Sequence, residues 1–225
     1  MNTLWRVLDK KGLPVEVVAY EPSLHREVLA LYRGGYPDSY DENDLGAIEF
    51  ELDEIKRGNP HHYCFLAIRR KRVVGTLMFD RWVGPQDVYL LSYLYIKESM
   101  QERGLGRILV AAVEEFLIDK ARIIFTNCAG LLPDYDLSYP FFRAIGYEEW
   151  GEFPGYFRDD LSGIFLVKRN PRYSIGWGIP ENSSWCPELA RSRTGQRISP
   201  EEYQQEMRRL KPVAVSEWGL KALEK

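Results

Sequence analysis

Two glycines and two arginines stand close together where a strand-like sequence gives way to a helical one, in the segment Gln101–Arg107. The first backbone N–H groups of a helix have no partner within the helix and lie at the positive end of its dipole. Phosphate binds such groups where no side chain obstructs it, and Gly104 and Gly106 have no side chain. Arg103 and Arg107 would add charge-assisted hydrogen bonds. The segment therefore predicts an anion-binding site.

The common phosphate-binding motifs do not fit this segment. A dinucleotide fingerprint needs a third glycine where Leu109 stands, and a P-loop needs Gly-Lys-Ser/Thr, which the chain lacks. The spacing from Gln101 to Gly106 instead resembles the Gln/Arg-x-x-Gly-x-Gly/Ala signature of the GNAT superfamily of acetyltransferases. The neighbouring elements extend this resemblance over about Val15 to Arg169. In chain order they are a strand at Val88 to Ile96, the signature, an amphipathic helix to about Ala121, a strand at Ile123 to Asn127, and a short helix from Phe141 that ends at Gly146 and Tyr147.

The resemblance implies an α/β fold with a mixed, mostly antiparallel twisted sheet of about seven strands flanked by helices. The family's fourth and fifth strands splay apart. Residues 1–169 would form the acetyltransferase domain, and residues 170–225 a C-terminal extension. The residues themselves predict an N-terminal hairpin that turns at Asp9 to Gly12, a helix from Ser23 to Arg33 capped by Ser23, and a second helix from Asp44 to Lys56.

The resemblance further implies an N-acetyltransferase that uses acetyl-CoA as cosubstrate and an amine as acceptor, with no metal. The pyrophosphate would bind at the start of the amphipathic helix, and the pantetheine arm would pair with the backbone of the preceding strand. Carried over position by position, the acetyl-CoA-binding residues are Leu94, Tyr95, Ile96, Gln101, Glu102, Arg103, Gly104, Leu105, Gly106, Arg107 and Phe142.

The catalytic tyrosine of the family is missing from its usual position. In the family that this chain resembles, a tyrosine of the short helix protonates the departing CoA thiolate. The corresponding residue here is Phe142, which cannot donate a proton. Tyr139 lies three residues earlier, on the same helix face, and is a candidate replacement. Tyr156, in the hairpin that follows, is a candidate for contact with the acceptor. An asparagine that often contacts CoA in the family is replaced by Tyr135.

An ammonium acceptor must lose a proton before it attacks, so a carboxylate or a water chain has to accept one. The strand from Val88 to Ile96 carries no carboxylate on the face where some family members place a glutamate. Asp80 is the candidate base, while Asp134, Asp136, Glu49 and Glu51 stay open as alternatives. No spacing connects the three histidines, His25, His61 and His62, with the site, and we interpret them as structural.

Composition bounds the remaining possibilities. With 225 residues and 45% apolar content, the chain can bury one core and carry an appendage. A formal charge of −3 argues against a nucleic-acid or anionic-membrane partner. The sequence has no apolar run approaching the roughly 18 residues of a membrane span and no signal peptide at its N-terminus, so we expect a cytoplasmic protein. Three cysteines without a Cys-x-x-Cys pair predict reduced thiols.

The C-terminal extension carries Trp177, Trp185 and Trp218, and Ser199 to Glu202 forms a capping box for a helix. Three tryptophans favour an ordered segment, so we expect the extension to pack on the domain or on a second subunit of a homodimer. Two alternatives to an enzyme stay open. They are a non-catalytic acyl-CoA-binding regulatory module and a protein-interaction subunit.

Overall fold

The computed structural model describes residues 3–35, 42–82, 87–129, 138–158 and 161–170. The predictions for Asp134, Tyr135, Asp136, the capping box and the three tryptophans of the extension fall outside these residues. The elements of the described chain are β1 (Thr3–Leu8), β2 (Pro14–Ala19), α1 (His25–Arg33), α2 (Glu42–Lys56), β3 (His62–Arg69), β4 (Arg72–Arg81), β5 (Val88–Ile96), α3 (Leu105–Phe116), β6 (Ile123–Ala129), α4 (Ser138–Ala144), β7 (Glu148–Arg158) and β8 (Leu161–Arg169).

The strands form one sheet in the order β1-β2-β3-β4-β5-β6-β8-β7. Only β5 and β6 pair in parallel, and all other neighbours are antiparallel. The predicted mixed, mostly antiparallel sheet is confirmed, and the first arm of the N-terminal hairpin brings the described strands to eight. Both faces of the central strands are buried, because nearly every residue from Cys64 to Ile68 and from Val73 to Phe79 is inaccessible.

Two tight turns fix the register of the first four strands. In the β1–β2 turn, Gly12 has a φ of +71° and the Asp9 carboxylate accepts the N–H groups of Lys11 and Leu13, both at 2.9 Å. In the β3–β4 turn, Arg70 and Lys71 both have positive φ, as a two-residue hairpin loop requires. The basic run at Arg69 to Arg72 therefore forms a hairpin turn.

The helices cover opposite faces of the sheet. Helices α1 and α2 pack on one face through Val28, Tyr32, Ile48 and Leu52, while α3 and α4 pack on the other. We call these the α1/α2 face and the α3/α4 face. The prediction that Ser23 caps α1 is wrong, because residues 22–24 form a 3-10 turn and Leu24 precedes the helix without a side-chain cap.

The amphipathic α3 is shorter than predicted, because it ends at Phe116 rather than near Ala121. Leu117 follows with its N–H still bonded to Val113, and the chain then turns toward β6. Among the described residues, no helix is both long and apolar enough to cross a membrane. Among the described residues, Cys64 and Cys128 are buried and form no disulfide bond.

Strands β5 and β6 separate halfway along their length. They pair only from Val88 with Ile123 to Leu91 with Thr126, although β5 continues to Ile96 and β6 to Ala129. The register between β4 and β5 shifts at the same level, because Leu77 pairs with Leu94 while Phe79 pairs with Leu91. Strand β5 thus carries one extra residue at the point where it leaves β6, and such bulges bend a strand. The predicted splay is confirmed.

Candidate functional site

Helix α3 begins next to the splay without a side-chain cap. Gly104 is its N-cap residue, with a φ of +81°, and no side chain accepts a hydrogen bond from the first turn. That turn also contains no acidic residue. The N–H groups of Leu105, Gly106 and Arg107 therefore lie at the positive end of the helix dipole and are suited to an anion.

Each glycine of this loop also has a packing role. A Cβ added to Gly104 would lie 3.2 Å from Lys10 Cγ, and one added to Gly106 would lie 3.3 Å from the Phe141 ring. The left-handed backbone at Gly104 would also strain any other residue. Open access for phosphate, the reason inferred from the sequence, is therefore only part of why glycine stands at these positions.

The polar side chains predicted for the phosphate site gather around this loop. The Gln101 amide donates to the Ile96 carbonyl at 3.2 Å, which joins the loop to the end of β5. The Arg103 guanidinium lies 3.9 Å from the buried Asp9 carboxylate. Arg107 is exposed and donates to a carbonyl of α4 at 3.4 Å, while Glu102 is exposed and has a φ of +60°.

The part of β5 that is predicted to pair with pantetheine lies beside an open edge, whereas Phe142 lies in the core. Leu94, Tyr95 and Ile96 pair with β4 on one side, and on the other they lie beyond the last residue pair with β6. Phe142 is only 3% exposed and packs on Phe141 and Tyr147, so its ring belongs to the core. Phe141 is the neighbour whose ring reaches Gly106.

Four elements bring an acid cluster together on the α1/α2 face, formed by Glu51, His62, Asp80 and Ser92. His62 Nδ1 lies 2.7 Å from Asp80 Oδ1, and the Ser92 hydroxyl donates to Asp80 Oδ2 at 3.3 Å. Glu51 Oε2 is buried and has no hydrogen-bond partner among the described residues, although the Glu51 carboxyl group also interacts with Ser92. Ligand atoms of Glu51, His62 and Asp80 lie within 4.8 Å of one another.

Burial and mutual repulsion hold protons on this cluster. Burial raises the pKa of Glu51 to about 8, and the neighbouring Asp80 carboxylate adds to the effect. Burial also raises the pKa of Asp80, while His62 and the Ser92 hydroxyl oppose that increase. A carboxyl group whose pKa lies near neutrality can exchange a proton in solution at ordinary pH, which is the property a general base needs.

The structure separates the alternatives that the sequence left open for α2. Glu49 is exposed and lies 3.9 Å from Arg33, whereas Glu51 turns inward to Asp80. His62 bonds to Asp80, a contact that the sequence did not reveal. The adjacent His61 is exposed. Sequence reasoning missed this contact because it depends on the pairing of β3 with β4, which places His62 opposite Asp80.

The two candidate tyrosines lie on opposite faces of the sheet. Tyr139 is in the first turn of α4, packs against the core of the α3/α4 face, and donates to Glu149 Oε2 at 2.7 Å. That hydrogen bond is the main reason why the pKa of Tyr139 is raised. The Tyr156 hydroxyl accepts a hydrogen bond from Asn127 at 3.1 Å. Asn127 is the first β6 residue beyond the last pair with β5, so Tyr156 lies at the splay.

Strand pairing places Tyr156 and the acid cluster on the same face. Asp80 pairs with Leu90, and Leu90 pairs with Phe125, so these three side chains share a face. Side chains alternate along a strand, so Asn127, two residues after Phe125, lies on that face as well. The α1/α2 face therefore combines titratable acids with a tyrosine hydroxyl, while the α3/α4 face has the positive helix start.

Comparisons with known proteins agree with this geometry. The sequence model of the acetyltransferase (GNAT) family matches residues 23–147, more than half of the chain. No curated protein matches the chain by sequence.

Solved structures give the same fold at low identity. The chain is similar to a protein assigned to the GNAT family from Desulfovibrio desulfuricans, with 16% identity and a TM-score of 0.63 over 69% of this chain and 98% of that chain. An aminoglycoside 6′-N-acetyltransferase complexed with coenzyme A has 19% identity and a TM-score of 0.56 over 74% and 99%. The ribosomal-protein-S18-alanine N-acetyltransferase from Escherichia coli has 11% identity and a TM-score of 0.54 over 69% and 94%. At these identities the likeness concerns the fold.

Proposed function

The chain belongs to the acetyltransferase (GNAT) family, and we propose that the two faces of its sheet divide the reaction between them. The enzyme transfers an acetyl group from acetyl-CoA to an amine. In the proposal, the α3/α4 face binds the acetyl-CoA phosphates and the α1/α2 face receives the amine. The observation that carries the proposal is the splay beyond Leu91 and Thr126, because it lies between the uncapped start of α3 and the acid cluster.

Acetyl-CoA would bind along the loop and the free side of β5. The first N–H groups of α3 and the side chains of Gln101, Arg103 and Arg107 would bind the pyrophosphate, and the backbone from Leu94 to Ile96 would pair with the pantetheine arm. The charges at the helix start support this assignment. Arg107 has the wrong sign for the helix dipole unless an anion is bound, and no acid in the first turn offsets it.

Asp80 would accept the proton that the ammonium acceptor must lose, with Glu51 as its partner. Because the two carboxyl groups interact, their pKa values belong to the pair, and the proton can rest on either. An incoming ammonium group would lower the pKa of both carboxyl groups, so the pair would release its own proton to solvent. Asp80 would then be ionised and able to accept the proton that the amine loses. His62 and Ser92 bond to Asp80 and would keep its oxygens oriented toward the acceptor.

The remaining steps need a donor for the oxyanion and one for the thiolate. A backbone N–H of β5 would bind the oxyanion that forms when the amine nitrogen attacks the thioester carbon. The C–S bond then breaks, and Tyr139 would give its proton to the sulfur of CoA. Tyr139 must leave Glu149 to do so, since the two are hydrogen-bonded. On the other face, Tyr156 would contact the acceptor.

The acid cluster favours an acceptor that arrives as a cation, such as a protein N-terminus, a lysine or a small amine. The experiment is to measure CoA thiol release from acetyl-CoA with a panel of these amines, beside neutral alcohols of similar size. Faster release with amines, together with an acetylated product in the mass spectrum, is the expected result. If CoA binds but no amine accelerates release, the non-catalytic acyl-CoA-binding alternative replaces the enzyme.

We also propose that the C-terminal extension packs on the domain or on a second subunit. Asn170 is buried and donates to the carbonyls of Ile118 and Ala121, so the described domain reaches one residue past β8. The exposed rings of Trp150, Phe153 and Phe157 on β7 offer an apolar surface to cover. Deleting residues 171–225 should lower the melting temperature or the mass measured by light scattering. A truncated protein unchanged in both would refute the packing.

The cytoplasmic location inferred from the sequence stays a prediction.

A further inference from the structure

The turn of the N-terminal hairpin lies against the loop that precedes α3. The Lys10 N–H donates to the Arg103 carbonyl at 3.0 Å, so the two segments are joined through their backbones. The Lys10 side chain then runs along Gly104, because a Cβ on that glycine would lie 3.2 Å from Lys10 Cγ and 3.5 Å from Cε. The hairpin precedes residues 23–147, which match the family model, so Lys10 lies outside the matched region.

The contact adds a positive charge next to Arg103 and Arg107. Lys10, Arg103 and Arg107 surround the positive end of α3, and the first turn of α3 has no acid. The nearby Asp9 carboxylate is fully buried, and one of its oxygens accepts two N–H groups of its own turn. Its other oxygen faces Arg103 at 3.9 Å. The Lys10 ammonium group is exposed and has no ion-pair partner among the described residues.

The aliphatic part of Lys10 is held in place. Its methylene groups fit against Gly104, where any other residue would displace them, and its backbone is tied to Arg103. A lysine with an immobilised stem loses less conformational entropy when its ammonium group binds an anion than a free surface lysine does. Lys11, the next residue, is also exposed in this turn, but its N–H is directed to Asp9.

We infer that Lys10 is a phosphate-binding residue of the acetyl-CoA site, and that its ammonium group pairs with the pyrophosphate at the start of α3. This inference rests on the proposed function, because it assumes that the phosphates of CoA bind there. It makes the N-terminal hairpin a part of the binding site. An ion-paired hydrogen bond from Lys10 would strengthen CoA binding without touching the acetyl group.

The test is calorimetric titration of the full-length protein with CoA. Lys10→Met keeps the stem over Gly104 and removes the charge, so CoA affinity should fall about tenfold, the low end for a hydrogen bond to a charged group. Lys10→Arg should stay close to wild type. Lys11→Met removes the same charge one residue away and is the matched control, which should also bind like wild type. Thermal melts of all variants check that the hairpin stays folded.

Dephospho-CoA identifies the phosphate that Lys10 contacts. If the pyrophosphate is the partner, Lys10→Met should lose the same factor with dephospho-CoA as with CoA. A loss seen only with CoA would overturn the pyrophosphate assignment in favour of the 3′-phosphate. Equal affinities for wild type, Lys10→Met and Lys11→Met would overturn the inference while leaving the proposed function standing. Failure of the wild-type protein to bind CoA would refute the proposed function itself.

Discussion

The loop from Gln101 to Arg107, which we call the phosphate loop, and the acid cluster lie on opposite faces of the sheet. They depend on different physical properties. The loop offers backbone N–H groups at a helix start together with arginines, and none of these groups changes its charge near neutral pH. The acid cluster consists of half-buried side chains, and the pKa of Glu51 is raised to about 8. Binding of acetyl-CoA should therefore vary little with pH, whereas acceptance of a proton from the amine should vary strongly.

The largest expected effect is a loss of phosphate binding at the start of α3. Gly104→Glu places bulk and negative charge against the pyrophosphate, so CoA affinity should fall roughly a hundredfold or more, which is about 2.8 kcal/mol. Calorimetric titration with CoA measures the change. Gly46→Glu adds the same group on α2, where a Cβ meets nothing within 4 Å, and should bind CoA like wild type.

Strain at Gly104 has to be separated from charge, because its φ is +81°. Asparagine tolerates this backbone conformation better than other residues with a side chain. Gly104→Asn should therefore keep the fold and lose less affinity than Gly104→Glu. Wild-type affinity in Gly104→Glu would show that the phosphates bind elsewhere.

The next largest effect concerns the two tyrosines. Tyr139→Phe should lower kcat roughly a hundredfold, the low end for general acid–base catalysis, with little change in CoA affinity. Tyr156→Phe is the counterpart on the other face, and it should mainly raise the KM for the amine. Steady-state kinetics with acetyl-CoA in excess separates the two. If Tyr156→Phe instead lowers kcat while Tyr139→Phe does not, Tyr156 is the proton donor and Tyr139 is not.

The two regions also differ in how far the sequence predicts them. The phosphate loop is contiguous, so Gln101 to Arg107 identified it together with the strand before it and the helix after it. The acid cluster needs the register of β3 against β4. The turn at Arg70 and Lys71 alone would pair His61 with Asp80, but a register shift between Ala67 and Ile68 brings His62 there instead. One irregular residue in a buried strand leaves no signal that a single sequence can show.

Long-range packing determines the other structural features that the sequence alone did not predict. The mixed, mostly antiparallel sheet and the splay came from the resemblance and were confirmed. The position of Lys10 over Gly104 depends on how a hairpin docks about 90 residues away in the chain. The same limit applies to Phe142. Phe142 corresponds to the family's helix tyrosine, and its contact with CoA stays a prediction. The sequence did not show that packing on Tyr147 buries its ring.

A smaller effect tests the acid cluster through stability. The pKa of Glu51 is raised from its ordinary value of 4.5 to about 8, so the folded state binds this proton more tightly than the unfolded state does. Stability should fall as pH rises from about 4.5 toward about 8, and then level off. Glu51→Gln should make this fall smaller, and the raised pKa of Asp80 accounts for the part that remains. Each unit of pKa corresponds to about 1.4 kcal/mol, so the difference is on the order of a few kcal/mol at most.

Urea unfolding at a series of pH values measures this difference. Glu49→Gln is the control, since Glu49 lies on the same helix and is exposed. It should follow the wild-type curve at every pH. Parallel curves for wild type and Glu51→Gln would mean that Glu51 is not held protonated in the folded protein.

The division of the reaction between two faces is tested most directly by Asp80→Asn. Asparagine keeps the size of Asp80 and can still hydrogen-bond to His62, but it cannot accept the proton of the amine. The measurement is kcat for acetyl transfer together with CoA affinity by calorimetry on the same preparation. We expect kcat to fall roughly a hundredfold or more while CoA affinity stays at the wild-type value. An unchanged kcat, or a loss of CoA affinity that parallels the loss of rate, would contradict the account.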